Sequence, residues 1–347
     1  MHSLYKKIRI VDIISETHDT KTFALEYVDG SPLTYLAGQF ITLVFPKIND
    51  NEDRRSYSFS SSPETDLIPT ITLKRIDNGE YSRKLIDSAV KGDEILTIGT
   101  SGFFTLPDDL PSYQQIIFFA AGSGITPIYS LIKSILSKRS SPKITLIYSN
   151  HSSQNTLFYH GLKNLEKQHP DRFTIEFLFS TSPDLGRARL GKWLLERLLR
   201  EHVISNLQST LFYLCGPFDY MRMATIVLQT EGVPPENIRK ENFATVKPRY
   251  VPEPPDKDEH LVEITLNGDR HVFKTQFPDT ILQRAKKIGI QLPYSCESGQ
   301  CGTCAATCVS GKTWMWNNEV LVDSEVDKGR TLTCTAYPIG GDVVLKF

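Results

Sequence analysis

Short apolar runs separated by turn residues fill the first part of the chain. Residues 1–108 contain runs that predict strands at Lys7–Ile14, Lys21–Tyr27, Phe40–Phe45, Ser56–Ser60, Thr70–Arg75 and Glu94–Ile98. Glycine, proline and asparagine lie between these runs, and a short helix fits Tyr81–Ser88. Many short strands at this spacing are typical of an antiparallel β-barrel. We therefore predict one barrel domain over residues 1–108.

Strands and helices alternate in the next part of the chain, residues 109–243. Apolar runs predict strands at Gln115–Ala120, Ile144–Tyr148, Thr174–Phe179 and Thr210–Leu214. Helical stretches lie between and after them, at Pro127–Lys138, Gln154–Gln168, Lys192–Val203 and Phe218–Thr230. This alternation indicates βαβ units and a parallel sheet, so we predict an α/β domain that binds its ligand at the carboxyl ends of the strands.

Proline and charged residues dominate residues 244–259, which predicts an extended linker. After the linker, Leu261–Leu266 and His271–Thr275 flank an Asn-Gly pair, which favours a β-hairpin. Asp279 is predicted to cap a helix that ends near Gly289. Residues 260–347 are therefore predicted to form a third domain that mixes strands with a helix.

Three cysteines of this third domain, Cys296, Cys301 and Cys304, follow the spacing C-x4-C-x2-C, and 29 residues separate Cys304 from Cys334. This is the spacing of plant-type [2Fe–2S] ligands. Zinc sites more often bring two C-x2-C pairs, and disulfide frameworks suit shorter secreted chains. We predict that the four cysteines hold a [2Fe–2S] cluster, and that the rim of the loop, Glu297–Gln300, is exposed to an electron acceptor.

Two motifs in the barrel resemble a known family. Arg55-x-Tyr57-Ser58, followed by Gly79-x-x-Ser82, resembles the flavin domain of the ferredoxin–NADP reductase superfamily. The resemblance implies that Arg55 and Ser82 hold the flavin phosphates, and that Tyr57 and Ser58 lie along the flavin ring. The FAD contacts that it implies are Arg55, Ser56, Tyr57, Ser58, Gly79, Tyr81 and Ser82.

The second domain contains Gly-Ser-Gly-Ile-Thr-Pro at 122–127, between a predicted strand and a predicted helix. In that context glycines let a pyrophosphate approach a helix N-terminus. With Cys-Gly-Pro at 215–217 and Glu-Asn-Phe at 241–243, it resembles the pyridine-nucleotide domain of the same superfamily. The resemblance implies catalytic roles for Ser58, Cys215 and Glu241. The nucleotide-domain contacts that it implies are Gly122, Gly124, Thr126, Pro127, Gly216 and Phe243, the last shielding the flavin; Arg189 is added below on chemical grounds.

The choice between NADPH and NADH depends on the residues that follow the second and third strands. Tyr148 is followed by Ser-Asn-His-Ser-Ser, without the carboxylate that binds a ribose 2′-hydroxyl in many NAD enzymes. Ser180-Thr-Ser ends the third strand, and Arg187 and Arg189 follow. Hydroxyl and guanidinium groups suit a 2′-phosphate, so we predict NADPH.

The composition argues against several classes of partner. The chain has 347 residues, with 39 Lys and Arg against 40 Asp and Glu, for a formal charge of −1. A near-neutral chain is not expected to bind nucleic acid or anionic membranes in general. We see no signal peptide and no apolar stretch long enough to span a membrane. A cytoplasmic protein with reduced thiols is therefore expected.

The order of a flavin barrel, a nucleotide domain and a plant-type ferredoxin resembles the reductase components of multicomponent oxygenases. This resemblance covers nearly the whole chain and extends most closely to the reductases of phenylacetyl-CoA epoxidases. It implies a β-grasp (α+β) ferredoxin domain, and electron flow from NADPH through FAD and the cluster to a partner oxygenase. The alternatives are a reductase of an aromatic-ring dioxygenase, use of NADH or FMN, and a non-enzymatic redox sensor or adaptor.

Overall fold

A computed structural model describes residues 4–47, 52–139, 142–204, 206–243 and 251–347. Three large sheets organise the chain, and each comes from one of the three parts that the hydrophobic pattern separates. The predicted multidomain fold, with antiparallel, parallel and mixed sheets in that order, is confirmed.

The first sheet is antiparallel throughout, with strand order β4-β3-β6-β1-β2-β5. A bridge between Phe59, just after β4, and Ile71 of β5 joins the two edges, so the sheet closes into a barrel. Its elements are β1 Lys6–Thr17, β2 Thr20–Tyr27, β3 Phe40–Pro46, β4 Glu52–Ser58, β5 Thr70–Lys74, α1 Glu80–Ser88 and β6 Glu94–Ser101.

Strand β4 starts at Glu52, four residues before the predicted strand, because its polar N-terminal half pairs with β3. Phe45 lies opposite Asp53, and Val44 lies opposite Arg54. Polar residues at these positions hid the strand from the hydrophobic pattern, which identifies strands by their buried apolar faces.

The second sheet is parallel, with strand order β11-β10-β7-β8-β9. Helices cover both faces, and each face has its own apolar core. Its elements are β7 Gln115–Ala121, α2 Ile125–Ser137, β8 Lys143–Asn150, α3 Tyr159–Gln168, β9 Phe173–Phe179, α4 Lys192–His202, β10 Thr210–Cys215, α5 Phe218–Thr230 and β11 Ile238–Glu241.

Two features of the parallel sheet differ from the prediction. Helix α3 begins at Tyr159 rather than Gln154, because Ser153–Asn155 form a separate short turn and Phe158, the N-cap of α3, takes a left-handed backbone with φ of 57°. Strand β11 was missed, since Ile-Arg-Lys-Glu lacks an apolar pattern. It forms because its backbone pairs with β10, which places Glu241 beside Cys215.

The third sheet is mixed, with strand order β13-β12-β18-β14-β16, and β12 and β18 are parallel. Helix α6 packs its apolar side onto this sheet, which gives the β-grasp arrangement. The elements are β12 His260–Leu266, β13 Asp269–Thr275, α6 Ile281–Lys287, β14 Ala305–Ser310, β15 Thr313–Met315, α7 Asp323–Asp327, β16 Arg330–Leu332, β17 Ala336–Pro338 and β18 Val343–Lys346.

The cap of helix α6 corrects a prediction. Thr280, not Asp279, is the N-cap: its hydroxyl accepts from the backbone N–H of Gln283, whose side chain accepts from the backbone N–H of Thr280. Asp279 instead forms an ion pair with Lys287, at 2.7 Å. The sequence Thr-x-x-Gln carries this capping box, so the signal was available.

The proposed linker, residues 244–259, is only partly described, because 244–250 lie outside the described residues. Its last part contacts the third domain. Asp256 accepts from the backbone N–H of Gly340 at 2.6 Å and pairs with His260 at 2.8 Å. These bonds, led by the one from Gly340, lower the pKa of Asp256 to about 2.

Candidate functional site

A cavity of about 540 Å³ lies where the three parts of the molecule meet. Strand β4 of the barrel forms one wall of this central cavity, the end of β11 forms another, and the cysteine loop forms the third. The polar and aromatic residues that line it include Arg54, Arg55, Ser56, Ser58, Phe103, Glu241, Phe243, Tyr294, Cys296, Gln300 and Cys301.

The predicted flavin contacts on β4 divide between the cavity and the barrel core. Arg55, Ser56 and Ser58 line the cavity, whereas the ring of Tyr57 packs against the core of the first sheet. Burial there raises the pKa of Tyr57. The guanidinium of Arg55 lies 5.1 Å from the ring centroid of Tyr81, so these two predicted contacts are neighbours.

The start of α1 brings Gly79 and Ser82 together. Gly79 is the N-cap residue, and the Ser82 hydroxyl donates to its carbonyl at 3.2 Å while accepting from the backbone N–H of Ile76. A side chain at position 79 would lie 2.4 Å from the Ser82 oxygen. The two residues thus form one compact turn at the N-terminus of a helix, where anions are favoured.

A second cavity, of about 950 Å³, lies at the carboxyl ends of the parallel strands, and we call it the nucleotide cavity. Glycines allow the loops after β7 and β10 to touch there: a Cβ at Gly124 would lie 2.1 Å from the Cys215 carbonyl oxygen. Gly122 has a positive φ of 55°. Five of the predicted nucleotide-domain contacts line this cavity, namely Gly122, Gly124, Arg189, Gly216 and Phe243.

Thr126 and Pro127 lie in the first turn of α2, behind that cavity. Both are buried, and the Thr126 hydroxyl donates to the Ser123 carbonyl at 2.9 Å. Their contribution is to the shape of the turn after β7.

The three predicted catalytic residues come together at the end of β11. Glu241 lies opposite Cys215 in the strand register, and the Ser58 hydroxyl donates to its carboxylate at 3.2 Å. Burial raises the pKa of Glu241 to about 8, although the bond from Ser58 acts in the opposite direction. Burial, with the nearby Glu241 charge, also raises the pKa of the Cys215 thiol. At neutral pH a proton is therefore favoured on both groups.

Phe243 lies between the two cavities and lines both of them. It is 48% exposed, although it is a large apolar side chain. A ring in this position separates whatever occupies the central cavity from whatever occupies the nucleotide cavity.

The two arginines that follow β9 have different surroundings. Arg189 lines the nucleotide cavity together with His151 and Ser180, and the last two share a hydrogen bond of 3.0 Å. Arg187 is instead paired with Glu176 and Glu201, and the bond to Glu176 raises its pKa. Arg187 is thus already neutralised by protein carboxylates.

The four predicted cluster ligands converge. Cys296 lies within hydrogen-bonding reach of Cys301 and Cys334, and Cys334 also of Cys304. The neighbouring thiols, with backbone N–H groups of Ser298 and Gln300 at 3.4 Å, lower the pKa of Cys296. Four thiols with N–H donors aimed at sulfur fit the donor set of an iron–sulfur cluster.

Among the described residues, no group of three or more Cys, His, Asp or Glu side chains is arranged around a single metal ion. The cluster assignment therefore rests on four converging thiols and on the family relation given below.

Gly302, with φ of 77°, lets the loop pass Phe103 of the barrel: a Cβ there would lie 2.6 Å from the Phe103 ring.

The prediction of an exposed rim at Glu297–Gln300 is wrong. Ser298 is fully buried and Gln300 is 8% exposed. Gln300 donates to Glu319 at 3.1 Å, and Asn242, next to Glu241, donates to the same carboxylate at 3.2 Å. Asn317 also donates to the Ser298 carbonyl at 2.7 Å, so the rim is covered mainly by Asn317 and Glu319 of its own domain.

Comparisons with known proteins find three family models in succession along the chain. A family model for an oxidoreductase FAD-binding domain matches residues 7–106, and one for an oxidoreductase NAD-binding domain matches residues 118–225. A model for a 2Fe-2S iron-sulfur cluster binding domain matches residues 264–338.

The ferredoxin reductase component of 3-ketosteroid-9-alpha-monooxygenase from Rhodococcus rhodochrous is 30% identical, over 96% of this chain and 95% of its own. The chain belongs to this family of oxygenase reductase components. A component of 1,2-phenylacetyl-CoA epoxidase from Escherichia coli, 29% identical over 99% of this chain and 98% of its own, is a further relative of the reductase. Phthalate dioxygenase reductase shares the fold, at 23% identity and a TM-score of 0.59 over 99% of this chain and 98% of its own.

The reductase is therefore an NAD(P)H-dependent oxidoreductase with domains for FAD, a pyridine nucleotide and a [2Fe–2S] cluster. The non-enzymatic alternative receives no support from these relatives. In the described part of the chain, no helix is both long enough and apolar enough to cross a membrane.

Sequence reasoning missed several residues at the central cavity. Arg54, Phe103 and Tyr294 line it, and Glu319, outside its lining, joins Gln300 of the cysteine loop to Asn242. Of these residues, only Arg54 could have been noticed in the sequence. Side chains alternate between the two faces of a strand, so Arg54 points away from its neighbour Arg55. The other contacts depend on how the domains meet.

Proposed function

We propose that the reductase takes electrons from NADPH at the nucleotide cavity and delivers them through the central cavity and the cysteine loop to a partner oxygenase. The observation that carries the proposal is the shared lining of the central cavity. Ser58 and Glu241, the candidate hydride-side residues, line the same space as Cys296 and Cys301. FAD, when bound, supplies the conversion of a two-electron hydride into single electrons, which a [2Fe–2S] cluster requires.

The protein's own residues align the groups and manage the proton. Phe243 lies between the nucleotide cavity and the central cavity. We assign to its ring the role of moving aside when the nicotinamide enters the central cavity. Ser58 bonds Glu241 at 3.2 Å, and the raised pKa of Glu241, about 8, favours its protonated form at neutral pH. We assign to this pair the holding of a proton beside the flavin ring.

Anaerobic addition of NADPH to the purified reductase tests the proposal. We expect loss of flavin absorbance, followed by the electron paramagnetic resonance signal of a reduced [2Fe–2S] cluster. Flavin that stays oxidised, or a cluster that stays oxidised after flavin reduction, would contradict the proposed electron path.

We propose NADPH as the donor because Arg189, His151 and Ser180 together present a guanidinium, an imidazole and a hydroxyl to one end of the nucleotide cavity. These groups suit a 2′-phosphate. Lys74 of the barrel lines the same cavity. We do not assign Arg187 to the 2′-phosphate, because its guanidinium is paired with Glu176 and Glu201. A kcat/KM for NADH equal to or above that for NADPH would overturn this choice.

We keep a phenylacetyl-CoA epoxidase as the first partner to test, because a relative that carries this name matches almost end to end in both chains. The 3-ketosteroid-9-alpha-monooxygenase reductase matches equally well, so a steroid monooxygenase is the second. Reconstituted turnover with each oxygenase component decides between them. We place the reductase in the cytoplasm, since cluster ligands require reduced thiols.

A further inference from the structure

One buried cation in the central cavity has no part in the function proposed above. Arg54 lies on β4, the strand that carries the candidate flavin contacts, and only 6% of it is exposed. Arginine is rarely buried to this extent unless its charge and its donors are satisfied. Its partners therefore indicate what the residue is for.

The guanidinium of Arg54 reaches into the ferredoxin domain. Its Nη1 donates to the carbonyl oxygen of Tyr294 at 2.9 Å, and its central carbon lies 3.5 Å from the centroid of the Tyr294 ring. Inside the barrel domain, Nε donates to Glu52 at 2.6 Å and Nη2 to the Tyr5 hydroxyl at 3.2 Å. Glu52 thus balances the charge, while the fork and the flat face of the guanidinium hold Tyr294.

Tyr294 lies two residues before Cys296, the first cluster ligand. The next residue, Ser295, shares a hydrogen bond of 3.0 Å with Ser56 of β4. Arg54 and Ser56 are two positions apart, so they point to the same side of the strand. One strand of the flavin domain therefore holds two consecutive residues that lead into the cysteine loop.

A second cation contacts Tyr294 from the ferredoxin side. Lys286 of α6 lies 4.1 Å from the same ring and pairs with Glu297, next to Cys296. The ring is thereby tied to the barrel by one cation and to the ferredoxin helix by another. A shift of Tyr294 would move the chain at Cys296.

We propose that Arg54 is a positioning residue that docks Tyr294–Cys296 on β4 and so fixes the separation between flavin and cluster. The inference rests on the function proposed above. In the step concerned, reduced flavin loses one electron and one ferric ion of the cluster becomes ferrous, with no bond formed or broken between them. Arg54 lines the central cavity, and its proposed effect on this step is transmitted through Tyr294.

The test uses Glu52→Gln/Arg54→Met in the full-length reductase loaded with FAD and cluster. The double substitution removes both charges, so no unpaired carboxylate is left in the interface. Because Glu52 and Arg54 line the central cavity, all rates are normalised to bound FAD. After rapid mixing with NADPH, we expect cluster reduction to slow about tenfold or more relative to flavin reduction, since small misplacements have large kinetic effects. Cytochrome c reduction should fall relative to ferricyanide reduction.

Glu263→Gln/Arg270→Met is the matched control. This pair is a bidentate ion pair within the ferredoxin hairpin, and the side chain of Arg270 is 67% exposed. The same charges are removed from the same protein without touching the interface, so we expect wild-type rates for both steps.

Tyr294→Leu is the second variant, which keeps Arg54 and removes the aromatic ring. It replaces the double variant in the test if that variant fails to fold or loses iron. It should slow cluster reduction in the same direction. Wild-type cluster reduction in either variant, with full iron content, would overturn the inference. Failure of the wild-type protein to reduce its cluster with NADPH would instead overturn the proposed function.

Discussion

The two cavities differ in how many parts of the chain build them. The nucleotide cavity is formed mostly by loops that directly follow strands of one parallel sheet. The central cavity takes walls from the barrel, from the end of β11 and from the cysteine loop. A site of the first kind is encoded by contiguous motifs, whereas a site of the second kind exists only when three domains meet. Substitutions in one cavity should therefore leave the function of the other cavity intact.

The largest expected effect is on the exit side of the central cavity. Cys304→Ser removes a buried thiol of the predicted cluster site and should reduce cytochrome c reduction by about 100-fold or more, because the cluster fails to assemble. Ferricyanide reduction by flavin should continue. A variant with full cytochrome c activity would show that electrons leave without the cluster, and the comparison of the two cavities would fail.

The next effect concerns pH, and it belongs to the wall between the cavities. Burial raises the pKa of Glu241 from 4.5 to about 8, so the folded protein holds a proton that the unfolded chain releases above pH 4.5. The contribution of Glu241 to the free energy of unfolding is therefore fully present below pH 4.5. It declines as pH rises through 8, by at most about 1.4 kcal/mol per pH unit. Thermal midpoints measured between about pH 5.5 and pH 8 should fall less steeply for Glu241→Gln than for wild type. Equal slopes of thermal midpoint against pH for the two proteins would show that the Glu241 carboxyl is not shielded from water.

A smaller effect is expected inside the nucleotide cavity. Gly124→Ala places a Cβ 2.1 Å from the backbone of Cys215, and such overpacking costs about 1–3 kcal/mol. We expect a lower thermal midpoint and a raised KM for NADPH, with the cluster spectrum unchanged. Gly191→Ala is the control, because no heavy atom lies within 4 Å of the added Cβ and its φ is negative. Equal behaviour of the two variants would contradict the close contact of the loops.

The smallest effect tests the donor alone. Arg189→Ala should lower kcat/KM for NADPH by about tenfold, the value of one charge-assisted hydrogen bond, and leave kcat/KM for NADH nearly unchanged. Arg187→Ala is the matched comparison, since Glu176 and Glu201 hold that side chain away from the nucleotide. A larger loss in Arg187→Ala would reverse the assignment of the two arginines.

The contrast between the cavities also explains what could be predicted from the sequence. The four candidate cluster cysteines follow from ligand spacing, and the turn containing Gly122 and Gly124 follows from its place between a strand and a helix. Both are recognised from residue types at fixed spacings, and the structure brings the residues of each motif together.

Other features depend on packing between distant segments. Strand β11 has no apolar pattern, because its partner β10 supplies the reason for it to be a strand. The loop rim was predicted to be exposed, but the Ser298 carbonyl accepts from Asn317 and Gln300 donates to Glu319, and both residues are buried. Arg54 differs from Arg55 only in strand register, so the interface contact of Arg54 could not be inferred from residue type.

The covered cysteine loop has a consequence for the behaviour of the enzyme in air. Dissolved oxygen takes electrons from reduced flavins and clusters that it can reach, and each such loss consumes reduced pyridine nucleotide without product. Ser298 is fully buried and Gln300 is 8% exposed, so we expect contact between oxygen and this part of the loop to be limited. We therefore expect the packing of this loop to limit peroxide formation as well.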